Sequence, residues 1–169
     1  SYGTQFIRAQ TDVTDPNLTG IKAALEVRDE LKDNITIQVV AFPQNGALRD
    51  PHAMERLRQA LRMGVPVVGG IPHFERTMAP GARSVTLLCA LAAAEGRLVD
   101  MHCDESDDPL SRHIETLAFE TQRLGLQGVK TQQVVTGVAR HHQRQWRLAA
   151  RSRRQHQHLV CPRRQCNAT

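Results

Sequence analysis

A strand-like apolar run followed by a helix-like stretch, repeated four times, most restricts how this chain can fold. Phe6 to Val13 has the short, mixed pattern of a strand. Asp15-Pro16 opens a helix through about Leu31, with Ile21, Leu25, Val27 and Leu31 near one face. Ile35 to Phe42 is rich in β-branched residues and reads as a buried strand. Asp50 and Pro51 then supply an N-cap and a first-turn proline for a helix bearing Met54, Leu57 and Leu61, with Gly64 past its end. Val65 to Ile71 is a third strand, and Ser84 to Glu95 a strongly apolar helix closed by Gly96. Leu98 to His102 is a fourth strand, and Asp108-Pro109 starts an amphipathic helix reaching about Leu124 before Gly125. This order predicts an α/β fold with a parallel sheet covered by helices, as a barrel segment or a doubly wound sheet.

Parallel strands end at one edge, so the polar residues that follow them share a rim. These are Asp12 after the first strand, Gln44 after the second, His73 and Glu75 after the third, and His102 and Glu105 after the fourth. The residues Asp100-Met-His-Cys-Asp-Glu105 set an imidazole and a carboxylate three apart, where an apolar segment runs out. Histidine gives a neutral nitrogen to a divalent metal, and a nearby glutamate can carry protons to and from metal-activated water. His73 and Glu75 either line the pocket or brace its rim. Asp107 and Asp108 read as helix caps ahead of Pro109, and Cys103 as packing.

The 169 residues suffice for one domain with a core but fall short of the roughly 250 of a full eight-stranded barrel. No apolar run approaches the roughly 20 residues of a membrane span, and no signal-peptide pattern opens the chain, so no membrane partner is expected. The four cysteines show no C-x-x-C spacing, which predicts neither a disulfide framework nor a zinc knuckle and fits a reduced, cytoplasmic setting. Charge divides the chain sharply. Residues 1–129 hold 17 acids and 13 bases, whereas residues 130–169 hold nine bases and no acid. That asymmetry predicts two regions: an α/β domain over 1–129 and a basic, Arg/Gln/His-rich, disordered or irregular tail over 130–169.

Residues 1 to about 128 resemble the middle of cytosine deaminases, in the amidohydrolase superfamily of metal-dependent barrels. The matching segments are Gly3-Thr-Gln with Asp12-Val13, Val39-Val-Ala-Phe-Pro-Gln44, Val67-Val-Gly-Gly-Ile-Pro-His-Phe-Glu75, and Val99 through Asp108 with Ser111-Arg112. The resemblance implies a partial TIM-type (β/α) barrel of about four to five βα units. It implies hydrolysis of the exocyclic amino group of cytosine, giving uracil and ammonia. By the same resemblance His102 corresponds to a ligand for a divalent metal, Fe2+ or Zn2+. Glu105 corresponds to the glutamate that protonates the ring nitrogen during attack on the amino-bearing carbon, and Gln44 to the amide that hydrogen-bonds the ring. A glutamine suits that last task because its side chain both donates and accepts. The implied partner is a nucleobase or similar ring, and a full-length parent could form homo-oligomers. Related branches of the family act on other ring amides and amino-triazines.

The chain departs from the family pattern in three places. The family's H-x-H pair lies on a strand before the first residue here, Val138-Ala-Arg stands where a Ser-His pair is expected, and an aspartate from the eighth strand has no counterpart. One of roughly four protein ligands therefore remains, so the chain alone is expected to be inactive, and open parallel sheet edges predict poor folding or aggregation. The resemblance fades where the basic tail begins, and the tail has the composition of high-GC coding sequence read out of frame. Its eight arginines, Lys130 and Trp146 offer phosphate contacts and stacking, but no nucleic-acid module is present, so a solvated tail is expected rather than a nucleic-acid partner.

Overall fold

Each strand alternates its side chains between two faces, and here both faces have identifiable work. In the computed structural model, which describes residues 3–108 and 110–126 and the backbone of 131–134, five strands form one parallel sheet. They are β1 (Phe6–Asp12), β2 (Thr36–Phe42), β3 (Val67–Gly70), β4 (Leu98–His102) and β5 (Thr131–Val134), in sequential order. Helices α1 (Thr19–Glu30), α2 (Ala53–Arg62), α3 (Met78–Ala94) and α4 (His113–Arg123) connect or follow them, with a 3-10 turn at Pro72–Phe74. Val39, Ala41, Val68, Val99, Met101 and Cys103 join Ile21, Leu57, Leu61, Val85 and Leu88 in the main core. The opposite face carries a separate small cluster of Val40, Phe42, Val67 and Ile71. Sequential strand order with the helices on one face is the winding of a barrel and excludes the doubly wound alternative.

The inner face is also polar. Asp100, on β4, is completely buried, and its Oδ2 accepts hydrogen bonds from Arg8 Nη1 at 3.0 Å and Gln10 Nε2 at 3.1 Å, both from β1. Two strands lie between β1 and β4 in the sheet, so these bonds span the concave face as a chord and tie its curvature. Asp100 Oδ1 has no partner among the described residues.

Element boundaries depart from the sequence expectations at several points; α2, for one, begins at Ala53 after His52, and Asp50 instead accepts the His52 amide in a turn. Helix α1 begins at Thr19 rather than at Asp15-Pro16, because Asp15 is spent on a turn that receives the amides of Asn17 and Thr19. Its buried stripe is Leu18, Ile21 and Leu25, while Val27 and Leu31 are exposed: 27 and 31 fall on a different side of a 3.6-residue helix from 21 and 25. Helix α3 starts at Met78, six residues before the expected Ser84, since Pro80 sits in the first turn, where no helical N–H bond is required. Strand β5 lies beyond residue 129, so the sheet continues into the segment expected to be tail. Residues 135–169, with the expected tail, lie outside the described residues. Among the described residues no helix is long and apolar enough to cross a membrane.

Helices α3 and α4 meet at Gly81. A methyl group there would lie 2.1 Å from His113 Cε1 and 2.8 Å from the Pro72 carbonyl oxygen, one a ring and the other backbone. Gly81→Ala is therefore expected to destabilise the fold by about 1–3 kcal/mol through overpacking, read as a lower denaturant midpoint at an unchanged m-value.

Candidate functional site

The rim at the carboxyl end of the sheet is built from the loops that follow β1 to β4. After β1, Asp12 turns back on itself: its carboxylate accepts from the Thr14 amide and hydroxyl, and at 3.4 Å from the Gln44 amide on the next loop. Gln44 is exposed beyond Pro43. Glu75 is buried and its Oε1 accepts from the Leu48 amide at 2.9 Å, while Arg49 donates to the Phe74 carbonyl. Glu75 thus braces the loop that carries Gln44. Gly46 is required beside it, since its φ is +92° and a side chain would meet the Glu75 carboxylate at 3.0 Å.

His102 ends β4, its ring 4.9 Å from that of Phe42. Its Nδ1 lies 3.6 Å from Glu105 Oε2, and its Nε2 is shut off from solvent with no partner among the described residues. His73 reaches the same corner, near His102, Asp104 and Glu105. Burial holds the His73 imidazole below its ordinary pKa, against the opposing pull of the Glu105 and Asp104 carboxylates. A cavity of about 430 Å³ lies further out on the rim, lined by Arg49, Glu75, Arg76 and Arg83 among others, and includes neither His102 nor Glu105.

Sequence reasoning missed Asp104. Asp107 and Asp108 read in sequence as caps of the last helix, but Asp108 closes a local turn by accepting from the Leu110 amide. The cap of α4 is Asp104, nine residues upstream of His113, which accepts from Ser111 Oγ at 2.7 Å and from the His113 and Ile114 amides at 2.9 and 3.0 Å. Helix α4 begins at His113, not at Pro109, for this reason. Cys103 packs in the core as expected, and burial lifts its thiol well above the usual range; the buried Cys89 thiol is pushed up to about 12.

These residues fit one ligand position of a metal site and no more. A buried imidazole nitrogen without a partner is the state of a histidine ligand whose metal is not in view. Among the described residues, however, no group of three or more His, Cys, Asp or Glu side chains could hold a metal ion.

No protein-family model matches the chain. The described fold is that of part of an amidohydrolase-superfamily barrel. It is similar to 5-methylcytosine deaminase from Klebsiella pneumoniae, liganded with 5-fluorocytosine, at 47% identity and a TM-score of 0.75, covering 78% of this chain and 32% of that one. N-isopropylammelide isopropylaminohydrolase from Burkholderia multivorans aligns at 32% identity and a TM-score of 0.69, covering 78% of this chain and 33% of that one. In sequence, N-isopropylammelide isopropyl amidohydrolase of Pseudomonas sp. (strain ADP) is 34% identical over 129 residues, or 75% of this chain and 32% of its own length. The chain thus spans about a third of the length of the proteins it matches. Deaminases of this superfamily are generally metal-dependent.

Helix α4 carries a pH dependence. Burial lowers the pKa of His113 from the ordinary 6.5, with Asp104 opposing and His73 adding to the shift. A histidine kept neutral by folding contributes stability that is complete above its unfolded value and is lost as pH falls towards its folded one. The denaturant midpoint is expected to drop as pH falls below 6.5, and the drop to be smaller in His113→Gln, measured by urea titration across that range.

Proposed function

We propose that this chain is a barrel segment of a metal-dependent deaminase that hydrolyses the exocyclic amino group of cytosine or a close ring analogue. The observation that carries the reading is the pairing of His102 and Glu105 at the carboxyl end of β4, with His102 Nε2 buried and unpartnered. The 47% identity to a 5-methylcytosine deaminase supports the same substrate class. In this reading His102 is a ligand for Fe2+ or Zn2+, the remaining ligands coming from elsewhere in a complete barrel. When bound, such a metal supplies activated water near neutral pH. Glu105 would take a proton from such water and deliver it to the ring nitrogen, then relay the proton of the added hydroxyl to the amino group, which would leave as ammonia as the ring carbonyl forms. Gln44 orients the planar ring by donating and accepting from one amide.

The assignment extends to organisation in a cytoplasmic protein: an enzymatic region over 1–129, whose sheet runs on through β5, followed by a basic region over 130–169 that beyond β5 takes no part in the chemistry. A second ring class is favoured by a specific observation, the relatives named for N-isopropylammelide. The two are separated by a substrate panel.

Activity requires a closed barrel, so the test grafts residues 3–134 into the Klebsiella enzyme in place of its matching segment. The folded chimera is expected to deaminate cytosine or 5-methylcytosine with added divalent metal, and Glu105→Gln to lower kcat by about 10²–10⁴-fold at an unchanged melting midpoint. A folded chimera inactive on every amino-substituted ring, or one indifferent to Glu105→Gln, overturns the reading.

A further inference from the structure

In an extended strand, residues three apart point to opposite faces. His102 faces the concave side of the sheet, and Met101 and Cys103 face the helices. Continued in the same conformation, the chain would send Glu105 towards the helices, on the side of Cys103. It does not. Asp104 takes φ +60°, one of two non-glycine residues with positive φ among the described residues, and this single left-handed residue breaks the alternation. Glu105 then falls on the His102 side, 3.6 Å from its Nδ1.

Asp104 tolerates this backbone better than most residues, but tolerance alone would not hold it there. Asp104 is 5% exposed, and its carboxylate receives three donors at the entry to α4: Ser111 Oγ, the His113 amide and the Ile114 amide. Cys103, completely buried, anchors the chain on the other side. The turn is therefore clamped between the core and a helix of eleven residues.

We propose that Asp104 is a positioning residue: by fastening a left-handed turn to the N-terminus of α4, it brings the Glu105 carboxylate to the His102 ring. Its catalytic meaning rests on the deaminase reading above, while the placement itself is a property of this chain and is tested without activity. Helix α4 thereby becomes part of the support of the Glu105 carboxylate.

The test is the ring 15N spectrum of His102 in the full 169-residue chain, held at one pH above the imidazole range and assigned by loss of the signal in His102→Gln. Glu105→Gln defines the spectrum without the carboxylate. Asp104→Ala, which removes the clamp and disfavours the turn, is expected to reproduce that spectrum. Asp104→Asn, which keeps an acceptor and tolerance of the left-handed region, is expected to retain the native one. Ser111→Ala loosens the cap while leaving residue 104 alone, and is expected to lower the melting midpoint with the ring signal unmoved. Should Asp104→Ala fail to fold, Asp104→Gly gives the same reading, with the turn permitted but unfastened: the Glu105→Gln spectrum supports the proposal, and a native spectrum overturns it. A native spectrum in folded Asp104→Ala shows Asp104 to be a helix cap only. Indifference of His102 to Glu105→Gln removes the contact on which the proposal stands. An inactive chimera would sink the deaminase reading and leave these spectra as they are.

Discussion

Strand direction is the constraint on which the rest of the structure depends. A parallel pair cannot be joined by a tight turn, so each strand must hand the chain to a crossover that returns it to the same starting edge. The four pairings between β1 and β5 are all parallel, and each links neighbours in sequence. Every loop that leaves a strand therefore leaves it on the same side. Asp12, Gln44, Glu75, His102 and Glu105 are gathered there by topology before any of them makes a contact. The contacts then sort them: Asp12 and Glu75 support neighbouring loops, while His102 and Glu105 face each other.

The two faces of the sheet divide the labour. Towards the helices the sheet offers Val39, Ala41, Val68, Val99 and Met101, fully buried, and dispersion with apolar burial holds the layers together. Towards the concave side it offers Arg8, Gln10, Asp100 and His102, a polar lining that would cost stability if it had no partners. Asp100 has two, and they come from the far side of the curve. An imidazole with a solvent-free, unpartnered nitrogen stands one step further along the same strand.

Much of this was legible in the residues. Short β-branched runs alternating with helical spacing indicated the strands, their parallel direction and the rim, and β4 falls on Leu98 to His102 as read. Local capping rules did less well. Asp15-Pro16 and Asp108-Pro109 look like helix starts, yet both introduce turns, because the amides of α4 are received by a carboxylate distant in sequence and fixed by tertiary packing. The pairing of His102 with Glu105 was read from residue type and nearness at a strand end, and the resemblance gave each its role; the spacing alone would have argued for opposite faces. The left-handed residue that reverses that expectation is an aspartate, not the glycine a sequence reader would look for.

The chord from Arg8 and Gln10 to Asp100 also governs alignment. Were β4 to slip by one residue against its neighbours, Met101 would face the concave side, and the Asp100 carboxylate would enter the hydrocarbon layer beneath α3. An ion stranded there has no counter-charge, so a misaligned sheet is penalised by several kcal/mol for the one group alone. A purely aliphatic strand could drift without such a penalty. The charge thus discriminates between registers, favouring the one in which Asp100 meets Arg8 and Gln10.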